Sequence, residues 1–302
     1  MTDLHVRGSA PVRRRDDWPG VCLRKLQAVR RLAERNEADF ILVGGDFFDS
    51  YRPGYGLIFR VAEVVSGGPP WYIVAGNHDI VGRQRGALEN TALGLLAWMP
   101  EMHIAPDRWY EGDVQFRAWH YEHGIDKQTA FCSGEEWEGP QVAVAHAMLV
   151  PDPVPYEHVR LEDVETDADL FLCGHSHEGW SPIDVRGTLF LHPGSMTRLS
   201  LTRENLRRKP RALVIDIDSE GIEVEEVLIP AASGRAVFDL ATWKRDKRYG
   251  ARIEDLLRAL ESATVQGGGL RERVEKTAAE CGLDRAVLDV VLDRIDNAVR
   301  ER

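Results

Sequence analysis

Asp3 and His5 in TDLH, Asp46 in GGDFFD, Asn77 in GNHD, His146 in VAVAHAM, and His175 and His177 in GHSH are carboxylates, an amide oxygen and imidazoles, with no cysteine among them. Such donors suit borderline to hard divalent ions, manganese, iron or zinc, rather than a closed thiolate site. They are too many for one ion. They suit two ions about 3.5 to 4 Å apart that share a carboxylate, the arrangement that clamps the attacking and leaving oxygens of an in-line phosphoryl displacement.

The elements that must position these residues can be read around them. FILV precedes Gly44, WYIVA precedes Gly76, VAVA precedes His146 and LFLC precedes Gly174, four apolar runs of strand length. If each is a buried strand, the polar residues collect along one rim of a sheet, where open sheets bind their ligands. Glycine before three of the motifs allows a sharp turn and close backbone approach. Residues 20–36 carry an amphipathic pattern that predicts a helix feeding a strand at 40–43, a βα unit. Helices are predicted over 57–65 and 87–99, on either side of a strand at 71–75. Segments 116–121 and 141–144 are expected to open a second, more antiparallel half. Prolines 151, 153 and 155 make 150–155 a loop. Strands at 189–191, 211–217 and 222–229 follow, the last two joined by the turn Asp218-Ser219-Glu220-Gly221.

The motif order D-x-H, GD, GNH-(D/E), H, GH-x-H resembles the calcineurin-like metallophosphoesterases, from Asp3 to about His177. The resemblance implies an α/β (α+β) fold, a two-sheet β-sandwich flanked by helices. It implies a first ion held by Asp3, His5, Asp46 and His177. A second would be held by Asp46, Asn77, His146 and His175, with Asp46 as the bridge. His78 then matches the histidine that contacts the scissile phosphate or protonates the leaving oxygen, and Asp79 is expected to orient it. His192 is expected on the rim and not as a ligand.

GDFFDS and GNHD depart from the GD-x-V-D-R-G and GNHE of protein serine/threonine phosphatases. GDFFDSYRP, HPGSMTRLS and the hairpin ALVIDIDSEGIEVEEVLIP instead look like the SbcD-type DNA repair exonucleases, whose partner is an SMC-like ATPase. The resemblance implies a manganese-dependent DNA exo- or endonuclease. A phosphoesterase for small nucleotides or other phosphate esters is the alternative, and a non-catalytic scaffold of the same fold is a third reading. Only Met1 and Thr2 precede Asp3, where relatives carry a full strand, so the first ion is expected to be the weaker held, and extending the chain upstream in frame should tighten it.

The net charge of −11 repels a polyanion at long range, so any DNA path must be a local basic strip. Strips follow the metal-site loops at Arg13 to Arg15, at Arg83 and Arg85, and at Arg198, Arg203, Arg207, Arg208, Lys209 and Arg211. Arg83, Arg85 and Arg198 are the candidates to contact substrate phosphate. Four dispersed cysteines predict reduced thiols, and the absence of any long apolar run or charged-then-apolar leader leads to the expectation of a cytoplasmic protein. The phosphoesterase domain is assigned to 1–230 and a helical module to 231–302. The module carries apolar stripes Ile253 to Leu260 and Val287 to Val299, with a helix from Leu270 to Cys281 between them. These helices could dock the ATPase partner, and the chain could also pair with a second copy of itself.

Overall fold

In a computed structural model of the chain, residues 1–82, 85–132, 134, 137–218, 221–243 and 270–280 are described, with 285, 288, 289 and 292 beyond them. The chain divides into two compact units, Met1–Phe238 and Asp239–Arg302. In the second, the helix Leu270–Glu280 buries Val274 and Ala278, and Leu288 and Leu292 are also buried. The stripe at 253–260 lies outside the described residues, as does most of the stripe at 287–299.

The first unit opens with helix α1 (Trp18–Arg35), capped where Asp17 Oδ1 accepts from Gly20 N, with Pro19 inside the first turn. Strand β1 (Ile41–Val43), helix α2 (Tyr55–Val65) and strand β2 (Trp71–Ile73) follow. The helix expected over 87–99 is divided into a 3₁₀ turn, Arg85–Asn90, and a short helix α3 (Ala92–Leu96). The break has a local cause. Buried Thr91 caps α3 by accepting from Gly94 N, and a side chain at Gly94 would collide with the Leu88 carbonyl, so one continuous helix cannot form.

Strands β3 (Met102–Ile104), β4 (Arg108–Glu111), β5 (Val114–Trp119), β6 (Ala130–Phe131), β7 (Gln141–His146), β8 (Leu149–Val150), β9 (Val159–Arg160) and β10 (Glu165–Thr166) come next. The chain continues through β11 (Leu170–Gly174), β12 (Trp180–Val185), β13 (Thr188–His192), the short helix α4 (Arg203–Arg207), the hairpin β14 (Arg211–Asp218) and β15 (Gly221–Leu228), and α5 (Gly234–Val237). One sheet has the order β1-β2-β3, all parallel, and the larger has the order β12-β13-β11-β7-β5-β4.

The second half is more antiparallel than the all-parallel first sheet, through the pairs β4–β5, β12–β13 and β14–β15, but the centre of the larger sheet, β5, β7, β11 and β13, runs parallel. VAVA and LFLC are apolar on both faces because both faces are covered, which is the mark of a central parallel strand. Alternation divides them between two cores. Val142, Val144, Leu170 and Leu172 meet Leu42, Tyr72 and the hairpin's Leu213 and Ile215 in one cluster, whereas Ala143, Ala145, Phe171 and Cys173 join Ile41, Val43 and the helices in the other. Because β1, β7 and β11 are parallel members of two apposed sheets, their carboxyl ends open onto one rim.

Candidate metal centre

Asp46 follows β1, His146 ends β7, and His175 and His177 follow β11. Asp3 and His5 reach the same rim because their segment runs beside the loop after β1: Asp3 N donates to the Gly45 carbonyl and His5 N to the Asp46 carbonyl. The structure brings two donor groups together here. Asp3, His5, Asp46 and His177 form one and Asp46, His146 and His175 the other, each with its ligand atoms within 4.8 Å of one another. Asn77 joins the second, its Oδ1 3.1 Å from His146 Nε2.

The hydrogen bonds around these groups leave lone pairs facing lone pairs. Asp3 Oδ2 accepts from the Thr2 hydroxyl and from His175 N, which leaves Oδ1 buried and unpaired, 4.0 Å from His5 Nε2 and from His177 Nε2. Those two imidazole nitrogens are 2.9 Å apart. Asp46 Oδ1 accepts from His78 N, so Oδ2 is turned to both groups, 3.5 Å from His5 Nε2 and 3.4 Å from His146 Nε2. His146 Nδ1 faces the Gly44 carbonyl at 2.8 Å and carries a proton there, so in the neutral ring, the form that can ligate, Nε2 presents a lone pair to Asn77 Oδ1. Acceptors converging on acceptors, in a buried place, fit a pair of divalent ions that share Asp46.

The backbone is bent to this purpose. Asp3, His5, Asp46 and His175 all have positive φ, 50°, 46°, 49° and 83°, a conformation that costs a side-chain-bearing residue about 1 to 3 kcal/mol. Gly45 (φ 101°) is needed for a second reason: a Cβ there would occupy the place of the His146 ring.

Burial and neighbouring charge set the protonation of the site without metal. Burial works against charging His146, but Asp46 beside it outweighs burial and raises its pKa to about 10. Burial opposes ionisation of Asp46 as well, yet His146, His5 and His78 hold it far below the ordinary carboxylate range. His175 is lowered to about 3 and His177 is also lowered, both chiefly by burial, so these two stand neutral and ready to ligate.

Asp49, the second acid of GDFFD, escaped the sequence reading although the motif displayed it. Its Oδ1 lies 3.3 Å from His5 Nδ1, its Oδ2 pairs with Arg7 Nη1 at 2.9 Å, and its carbonyl is 2.9 Å from His78 Nδ1. The expected role of Asp79 is corrected accordingly. Its carboxylate, fully buried, accepts from the backbone N–H of Phe47, Phe48 and Gly76 and so fixes the loops that carry Asp46 and Asn77, while His78 is oriented by the Asp49 carbonyl. His192 closes β13, which is parallel to β11, and so stands at the same carboxyl edge as expected; it is 1% exposed, accepts from Gly194 N, lies against Trp180 and belongs to neither donor group.

The arginines proposed for phosphate are largely engaged within the chain. Arg198 is buried and donates to the Arg208 and Ala232 carbonyls. Arg208 donates to the carbonyls of Ser195 and Thr197, Arg211 to those of Pro193 and Trp180, and Arg14 pairs with Asp16 and donates to the Arg198 carbonyl. They hold the HPGSM loop, whose Ser195 hydroxyl donates to the Asp3 carbonyl. Arg83 lies outside the described residues, and Arg85 is described only as backbone at the start of the 3₁₀ turn.

A family model described as calcineurin-like phosphoesterase matches residues 1–179. The DNA double-strand break repair protein Mre11 of Methanopyrus kandleri is 24% identical over 281 residues, covering 83% of this chain and 61% of that protein, so the chain spans less than two thirds of the curated relative it matches. Among solved structures, an archaeal phosphodiesterase shares 16% identity over 76% of this chain and 96% of its own, with a TM-score of 0.39. A metallophosphoesterase from Sphaerobacter thermophilus shares 14% identity over 95% of each chain, with a TM-score of 0.33. Matched over the stretch that contains every donor described above, the chain belongs to the calcineurin-like phosphoesterase family.

Proposed function

We propose that the chain is a two-metal phosphodiesterase acting on DNA, an exo- or endonuclease of the SbcD type. The observation that carries the reading is Asp46 Oδ2 standing between His5 Nε2 and His146 Nε2 at 3.5 and 3.4 Å, one carboxylate oxygen shared by two donor sets. Asp3, His5, Asp46 and His177 would hold one ion, and Asp46, Asn77, His146 and His175 the other. Divalent ions bound there, manganese first among the candidates, would lower the pKa of the attacking water and neutralise charge developing on the phosphoryl oxygens. His78, anchored through Nδ1 on the Asp49 carbonyl, has its other ring nitrogen left to hydrogen-bond or protonate the departing oxygen. Similarity to Mre11 supports the DNA substrate, and supports an SMC-like ATPase as partner, which the segment beyond residue 230 would dock.

A second reading, a phosphodiesterase for small nucleotides, is favoured by a specific observation: Arg14, Arg198, Arg208 and Arg211, from the basic strips that follow the motifs, are engaged by the chain's own carbonyls and Asp16, and the net charge is −11. Incubating the manganese-loaded protein with linear double-stranded DNA and, separately, with a bis-aryl phosphodiester decides between them. Degradation of both supports the nuclease, cleavage of the small ester alone supports the second reading, and metal content of fewer than two ions per chain would sink the two-metal assignment.

A further inference from the structure

A cavity of about 1270 Å³ lies between the β14–β15 hairpin, β1 and α1, larger than the roughly 300 to 1,000 Å³ of ordinary small-molecule sites. Its lining is mixed, with Leu32, Phe40, Leu42, Phe116, Leu213 and Ile215 forming the apolar part. Residues 212–218 of β14 line it without a break. Side chains alternate between the faces of a strand, so an unbroken run of lining residues means that the strand's edge borders the cavity. β14 is hydrogen-bonded to β15 alone among the described residues, and its other edge is the one available. The outer edge of β1 already takes a strand-like partner, since Gly44 N donates to the Met1 carbonyl and Met1 N donates to the Leu42 carbonyl.

Charge is distributed with equal consistency. Seven carboxylates line the cavity, three pairs (Glu37 and Asp39 before β1, Glu111 and Asp113 at the β4–β5 turn, and Asp216 and Asp218 near the end of β14) and Glu138, and among the described residues no lysine or arginine lines it. All three pairs lie at one end. β1 and β7 run toward Asp46 and His146, so residues before β1 and at the start of β5, which is parallel to β7, are remote from the ligands. β14 starts at Arg211, bonded to Pro193 near the metal centre, and a strand of its length carries Asp218 about 23 Å away.

We propose that this cavity binds an extended segment of another protein as a strand added to β14, apolar along the groove and carrying lysine or arginine where it emerges between the carboxylate pairs. Antiparallel addition is the commoner geometry, and it places the basic residues at the segment's amino end. The proposal is independent of the phosphoesterase reading.

The test titrates the full chain with a fluorescent peptide that has paired lysines followed by an alternating valine–threonine core. Saturable binding at one peptide per chain is expected. Asp216→Lys with Asp218→Lys, and separately Glu111→Lys with Asp113→Lys, should each weaken it about tenfold or more, with hydrolysis and metal content unchanged. Glutamates in place of the lysines should have a similar effect, and N-methylation of alternate core amides should abolish binding, because it removes the ladder hydrogen bonds. No binding to the folded wild-type chain, or binding that survives N-methylation or charge reversal of the peptide, would overturn the proposal. So would concentration-dependent self-association that the same aspartate substitutions abolish, which would make a second copy of this chain the occupant.

Discussion

At the scale of single residues, the proposed roles separate groups that would hold metal from groups that would meet substrate. His78 donates its backbone N–H to Asp46 and anchors its ring on the Asp49 carbonyl, so the ring can be removed without removing a donor from either cluster. His78→Ala is expected to keep its metal content and lose phosphodiester cleavage by about 10² to 10⁴-fold, with partial rescue on an ester whose leaving group needs no proton. Loss of metal along with activity would reverse that assignment. Asp49 acts on the other side of the division. Asp49→Ala keeps the carbonyl that His78 uses but frees His5 Nδ1 and Arg7, and should weaken the ion at His5 by about 10 to 100-fold while leaving the other nearly unchanged. Calorimetric titration with manganese separates the two affinities. The sequence displayed the grouped donors, because Asp46, Asn77, His146, His175 and His177 follow apolar runs and Asp3 and His5 stand in a D-x-H motif, and it displayed Asp49 without revealing its use. A carboxylate three residues from Asp46 is too common to single out until its distance to His5 is known.

At the scale of elements, strands were more legible than their pairing, and charges less legible than either. The runs before Gly44, Gly76, His146 and Gly174 are strands β1, β2, β7 and β11 with the loops that leave them. Parallel pairing in the larger sheet was signalled by the two-sided apolar composition of VAVA and LFLC and passed over. The basic strips misled because a count of arginines does not see carbonyl acceptors, and the loop at 193–198 turns several of its carbonyls toward Arg14, Arg208 and Arg211. Loops that approach each other this closely tolerate no added atom. Gly45→Ala is expected to displace the His146 ring from the Gly44 carbonyl, lower the melting temperature and remove the second ion, an outcome checked by metal analysis together with thermal unfolding. A variant that melts lower yet retains two ions would show that the loop can yield.

At the scale of the whole molecule, the pH dependence of stability has a contributor away from the metal. Lys25 on α1 is 4% exposed, and its Nζ donates to the Met196 carbonyl at 2.5 Å. Burial, with Arg198, Arg208 and Arg14 adding to it, lowers its pKa from 10.5 to about 7. Between those values the unfolded chain binds a proton that the folded chain does not, so this group makes stability rise with pH from about 7 to 10.5, and charging it in the folded state opposes folding below that window. Lys25→Met should therefore show its greatest stability relative to the parent near pH 6, and that difference should shrink as pH rises to 10, as followed by denaturant unfolding. A difference independent of pH would place the titration elsewhere. The proposed ligands come from residues 3, 5, 46, 77, 146, 175 and 177, and no two of the strands that present them are joined by a tight turn. Such a centre can exist only after β7 and β11 have paired and the sheet containing β1 has packed beside them, which is expected past the barrier that limits folding. Manganese should then leave the refolding rate nearly unaltered and slow unfolding by the full measure of its binding free energy. In stopped-flow refolding, the ion would act as a latch that closes on a finished structure and plays no part in finding it.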